Sequence, residues 1–163
     1  MGNSIGKLTH AGKVAALTEL TGGSNTVNIG NMFIGLLTAA PTVASNGTVT
    51  VSEVPTTSGG EATGYSRKLI GNYAQASTLK FGAPTYDSTT GKTTITNKEE
   101  IHFDSVRKSW GTIYYWALFN ESGTVYAYGT LNDADGNALE NGDTPEISNI
   151  VFFKAGDLVI EIE

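Results

Sequence analysis

Residues 110–120, "WGTIYYWALFN", break the pattern of a strand with one wet face, which alternates apolar and polar positions. One parity carries Ile113, Tyr115, Ala117 and Phe119, and the other carries Tyr114, Trp116 and Leu118, so both faces are apolar. With the turn "ESG" and the following "TVYAYGTL", this stretch predicts the clearest hairpin in the chain. Further strands are predicted at "MFIGLLTA", which Pro41 ends, and at "YSRKLIG", "TLKFGAP", "ISNIVFFKAG" and "DLVIEIE". "YDSTTGKTTITN" predicts a hairpin turning at Thr89, Thr90 and Gly91, and "EEIHFD" a strand with Ile101 and Phe103 inward. Roughly eight to ten short strands at fairly regular spacing predict an all-β fold, an antiparallel β-sandwich.

The one helical period lies in "THAGKVAALTELTGG". Thr9 can cap it, Ala11, Val14, Leu17 and Leu20 recur at a spacing of three, and Gly22 and Gly23 stop it. Such a helix before a β domain is a lid on the sheet or an arm reaching a neighbour. The chain therefore divides into a helical arm, residues 1–30, and a β-sandwich domain, residues 31–163. The polar stretch after Pro41 reads as a long loop with a short strand at 49–54; a loop of that length in a compact domain is functional or an interface arm.

Composition narrows the function. Charged residues are 16% of the chain, and 20 of its 163 positions are Gly. Gly and Asn suit tight turns and Thr a pleated surface, which agrees with the strand count. The net charge of −6 comes without a basic patch, so neither nucleic acid nor an anionic membrane surface is an expected partner. No apolar run approaches the ~20 residues of a membrane span. The absence of Cys excludes disulfides, thiolate metal sites and a Cys nucleophile together.

Candidate chemistry fails on ligand or context. Setting Gly136 at the sixth position of a calcium loop puts Leu131 first and Gly142 twelfth, and neither supplies a carboxylate. "NDADGNALENGD" is better read as a turn region tightened at Asp135-Gly136. His10 and His102 are the only histidines and lie far apart, a poor start for zinc. "TSGGEATGYS" lacks both the strand-to-helix context of a nucleophile elbow and the lysine of a phosphate loop. Neither a cofactor nor a metal is expected, and no catalytic residue is assigned. The aromatics leave two arrangements open. Tyr114, Trp116, Tyr126 and Tyr128 form an exposed platform on one side of the hairpin, suited to sugars or subunits, or both faces are buried inside one sandwich.

The order of segments resembles a family of small tailed-bacteriophage proteins, tail-fibre-like or minor virion structural proteins. Five pieces carry the resemblance: "MFIGLLTAAPT" after a short helix, "GGEATGYSRKLI" with its Gly-Tyr-x-Arg segment, "FGAPTYDSTTGKTTITNKEEIHFD", "SWGTIYYWALFNESGTVYAYGTL", and "NGDTPEISNIVFFKAGDLVIEI". The stretch after Pro41 and "NDADGNALENGD" are longer here than in the family. The resemblance implies a non-enzymatic virion component on the tail or decorating the head, with other virion proteins as partners. Virion proteins work as symmetric oligomers, so a homo-oligomer in which a neighbour covers the second face of "TIYYWALFN" is expected. A module binding a host-surface saccharide is the alternative. On this reading Gly64, Gly111 and Gly142 permit tight backbone geometry, Trp110 anchors the core, and Tyr65 accompanies Arg67. An inward Arg67 requires a partner, expected at Asp104 or Asp143.

Overall fold

A computed structural model describes residues 4–21, 30–72, 79–133, 135 and 137–162. In chain order the elements are β1 (Ser4–Leu8), α1 (His10–Thr21), β2 (Asn31–Leu37), β3 (Thr42–Val43), β4 (Val49–Thr50), β5 (Thr57–Ser58), β6 (Glu61–Ala62), β7 (Lys68–Asn72), β8 (Thr85–Asp87), β9 (Lys92–Thr96), β10 (Ile101–His102), β11 (Tyr115–Asn120), β12 (Val125–Thr130), β13 (Phe152–Phe153) and β14 (Leu158–Ile162). The fold is all-β with one short N-terminal helix. Its frame is an eight-stranded sheet in the order β7-β2-β11-β12-β1-β14-β9-β8, joined by the two-stranded ribbons β10-β13, β3-β4 and β5-β6.

The predicted hairpin forms as β11 and β12, and the turn at Thr89–Gly91 joins β8 to β9. Three features differ from the sequence reading. β1 runs parallel to β14, so the sheet is mixed. Residues 4–8, placed by the sequence in a helical arm, pair with β12 on one side and β14 on the other and so join the two halves of the sheet. "TLKFGAP" contributes a single described bridge, Phe81 to Asn97, rather than a strand.

The helix is capped as predicted: the Thr9 hydroxyl accepts from the Gly12 N–H at 3.1 Å and donates to the Val125 carbonyl at 2.6 Å. Its buried face is not the predicted stripe. Val14 and Leu17 are 43% and 60% exposed, whereas Gly12 and Ala15 are buried. The cause is close approach: a Cβ on Gly12 would collide with the Tyr126 carbonyl, so only the smallest residues fit against β12. The Gly22-Gly23 stop lies outside the described residues.

The core shows how β11 is placed. One row across the sheet reads Leu36, Trp116, Gly129, Gly6, Ile160 and Ile95. A Cβ on Gly6 would overlap the Trp116 ring. The two glycines leave the hollow that the indole fills, and Trp116 is fully buried. Burying an indole of roughly 150–250 Å² contributes about 4–6 kcal/mol of transfer free energy. Trp116 belongs to the main cluster with Leu36, Leu118, Leu158 and Ile160.

Candidate functional site

The second face of β11 carries Ala117 and Phe119, which with Leu37 and Val125 form a separate buried cluster. No neighbour is needed to cover it. The segment after Pro41 folds back as a roof. Val49 and Val51 pack on the cluster, the Thr38 N–H donates to the Ser52 carbonyl at 2.8 Å, and the Val54 N–H to the Leu36 carbonyl at 3.0 Å. The expectation that another chain covers this face is therefore corrected: the long loop does so within one protomer.

A polar clamp fastens the roof. β7 begins at Lys68, opposite Ile34, so Leu36 lies beyond the end of that ladder. The Leu36 N–H donates instead to the Tyr65 hydroxyl at 2.9 Å, and that hydroxyl donates to Glu53 Oε1 at 2.6 Å. Arg67 binds the same carboxylate through Nε at 3.0 Å and Nη2 at 2.8 Å, with its guanidinium 3.7 Å above the Phe119 ring centre. Gly35 makes room, since a Cβ there would sit 2.7 Å from Phe119 and 2.9 Å from Glu53 Oε1. Burial raises the Tyr65 pKa, and the Glu53 charge and hydrogen bond raise it further, so the phenol stays protonated.

Glu53 thus takes the place expected of Asp104 or Asp143 as the partner of Arg67. Asp104 is spent on Lys68 at 2.6 Å, the contact that most lowers its pKa, and Asp143 pairs through its backbone with Ile113.

Trp110 is buried and donates from Nε1 to the Thr63 carbonyl at 2.9 Å. It meets Tyr65 edge-on at 5.4 Å and Phe103 at 6.3 Å. Gly64, Gly111 and Gly142 have φ of 84°, 73° and 65°. At Gly64 a Cβ would also lie 2.5 Å from the Ser105 carbonyl, and at Gly142 one would lie 2.6 Å from that of Ile113. Both positions combine a left-handed backbone with no room for a side chain.

The four hairpin aromatics do not share a side. Trp116 and Tyr126 face the main core, and Tyr114 packs beside Gly142. Tyr128 lies on the second face opposite Ala117, next to Tyr115, which the sequence reading had not singled out. A bulge between Leu118 and Phe119 accounts for Tyr126 and Tyr128 parting company.

Two surface regions stand open on opposite faces. An apolar groove of about 460 Å³ lies between α1 and the β9–β14 strands, lined by Ala15, Ala16, Leu118, Tyr126, Ile160 and Ile162. On the second face, where the roof ends, a hollow of about 350 Å³ lies over Tyr115 and Tyr128 beside Val43 and Val49.

A family model described as Podophage GP4 fiber I protein gp80 matches residues 7–160. The chain belongs to that family. It is a phage fibre protein and a component of the virion, associated there with other virion proteins. The match spans the roof, the clamp and most of the lining of both open regions, Ile5 and Ile162 lying just outside it. No curated protein matches the chain.

Proposed function

We propose that the chain is a non-enzymatic subunit of a phage tail fibre that seats against neighbouring virion chains, copies of itself included. The fibre family favours an appendage over a head-decorating position. The observation that carries the reading is the apolar surface left open around the α1 groove. Ile162 and Tyr86 share a row through Thr93 at its far side, exposed by 45% and 65%, and Val14 and Leu17 are exposed on the helix face turned away from the groove. Apolar residues gathered around an apolar groove mark a contact surface. The polar clusters fit a structural role: the Arg67–Glu53, Lys92–Glu161 and Lys68–Asp104 pairs tie segments together, which leaves these carboxylates engaged in holding the fold.

The test is incorporation. Leu17→Asp together with Ile162→Asp is expected to keep the melting temperature within a few degrees and to remove the protein from assembled particles. Particles that carry the double variant at normal copy number would overturn this surface. Particles of a fully infectious phage lacking the chain altogether would overturn the fibre reading.

A second reading, recognition of a host-surface saccharide, is favoured by the tyrosines at the edge of the roof. Trp116 is buried and takes no part in it.

A further inference from the structure

We propose that the groove beside α1 seats the turn at Glu146–Asn149 of a second copy of this chain; this rests on the contact reading above and names what fills that surface. The groove is concave and its lining bears no charged side chain, so two grooves laid face to face would leave a void. It needs a convex apolar occupant.

The segment around Ile147 is such a feature. Ile147 and Ile150 are exposed by 63% and 54%. A buried Pro145 leads into the turn, which closes with the Asn149 N–H on the Glu146 carbonyl at 3.0 Å. Two bonds dock it on the buried Val106: the Ser148 N–H donates to the Val106 carbonyl at 2.8 Å, and the Val106 N–H to the Asn149 carbonyl at 3.0 Å. Ser148 has a φ of 75°, the one left-handed backbone outside glycine among the described residues. A side chain there carries strain that a glycine would avoid. The chain thus holds two isoleucines in water on a strained, anchored turn. A knob held in one shape loses little freedom on docking.

Charge matches the knob to the groove. Gly12 and Ala16 line the groove, and Lys13, one turn before Ala16, stands exposed at its outer lip. The turn carries an exposed Glu146 beside Ile147. Arg107, next to the anchor Val106, packs over Gly64 and acts on Asp104. Seating the turn therefore brings a carboxylate to a lysine between chains that each carry a net charge of −6. The exposed pair Val14 and Leu17 is the other apolar ridge near the groove, but it carries Lys13 with it and would set lysine against lysine. No residue of the turn lines the groove of its own chain, so each copy offers its turn to one neighbour and its groove to another. The contact is heterologous, and it closes into a ring or extends as a row.

The experiment is analytical ultracentrifugation of the intact protein over a concentration series. The native chain is expected to form species larger than a dimer. Ile147→Asp and Ile162→Asp are each expected to weaken association at least about thirtyfold. Both side chains are exposed in the protomer, so tryptophan emission should not move. Mixed together, the two variants keep one intact turn and one intact groove, and are expected to form a 1:1 dimer and nothing larger. Lys13→Glu should weaken association about fivefold, and Glu146→Lys in the same chain should restore it. A mixture that stays monomeric overturns the proposal, as does a mixture rescued only when Leu17→Asp replaces Ile147→Asp. A native chain that stays monomeric at every concentration, while the Leu17→Asp, Ile162→Asp double variant is lost from particles, overturns the second copy as occupant and leaves the contact reading standing. Particles that keep that double variant overturn the contact reading and the proposal with it.

Discussion

The second face of the sheet is roofed over Leu37, Ala117, Phe119 and Val125 and open over Tyr115, Tyr128 and β1, and the two halves are built differently. Under the roof, a carboxylate, a guanidinium, a phenol and a backbone amide satisfy one another around Glu53. Beyond it, the Tyr115 and Tyr128 side chains are only half-buried and border a hollow that is open to solvent. A buried polar group without a partner costs about 1–3 kcal/mol, so the roofed half had to be completed within the chain. The open half has no such requirement, because water serves its polar atoms. The roof holds the fold together, and the open half leaves its polar atoms to solvent.

Substitutions can break that contrast. The largest effect is expected from Trp116→Ala, which empties the hollow over Gly6 and Gly129 and should cost about 3–5 kcal/mol in denaturant unfolding. Next comes Glu53→Ala, which strands Arg67 and Tyr65 at once. About 2–3 kcal/mol is expected, and the same unfolding experiment should show the 42–67 segment becoming protease-sensitive first. Tyr65→Phe removes the acceptor of the Leu36 N–H and is expected to cost about 1–3 kcal/mol.

Tyr65 also sets a pH dependence. Its pKa is raised in the folded protein, so its contribution is fully present below the ordinary tyrosine value of about 10 and is lost as pH rises beyond it. An alkaline melting series should fall above that value in the native sequence and fall less in Tyr65→Phe. The smallest effect belongs to the open half, where Tyr128→Phe should change stability by less than about 0.5 kcal/mol. A large loss there would mean that the hydroxyl is structurally committed and the contrast is false.

The sequence made the hairpin of β11 and β12 legible because apolar strands flanked a short Gly-containing turn. The cap at Thr9 was legible because its chemistry is local. The roof was half visible. "TVTVSE" alternates, with Val49, Val51 and Glu53 on one parity, but an acid at the end of an inward row gave no sign that an arginine waited for it. The partner of Arg67 was missed because nothing in the sequence ranks Glu53 above Asp104. The buried face of α1 was missed for a steric reason. Val14, Leu17 and Leu20 look like a core stripe by period, and only the approach of the Tyr126 carbonyl shows that Gly12 and Ala15 must face the sheet. The parallel place of β1 beside β14 depends on which two strands are left without a neighbour, which no local pattern records.

The central claim is that one protomer shelters both faces of β11 by itself, so the fold precedes assembly. Both tryptophans of the chain, Trp110 and Trp116, are buried within that protomer, and their emission reports on it. Fluorescence should be followed as the protein is diluted until light scattering shows only monomer. The account predicts a blue-shifted spectrum that does not move across the series. A shift to the red as copies separate would contradict it, because the faces would then be sheltered only in the assembly.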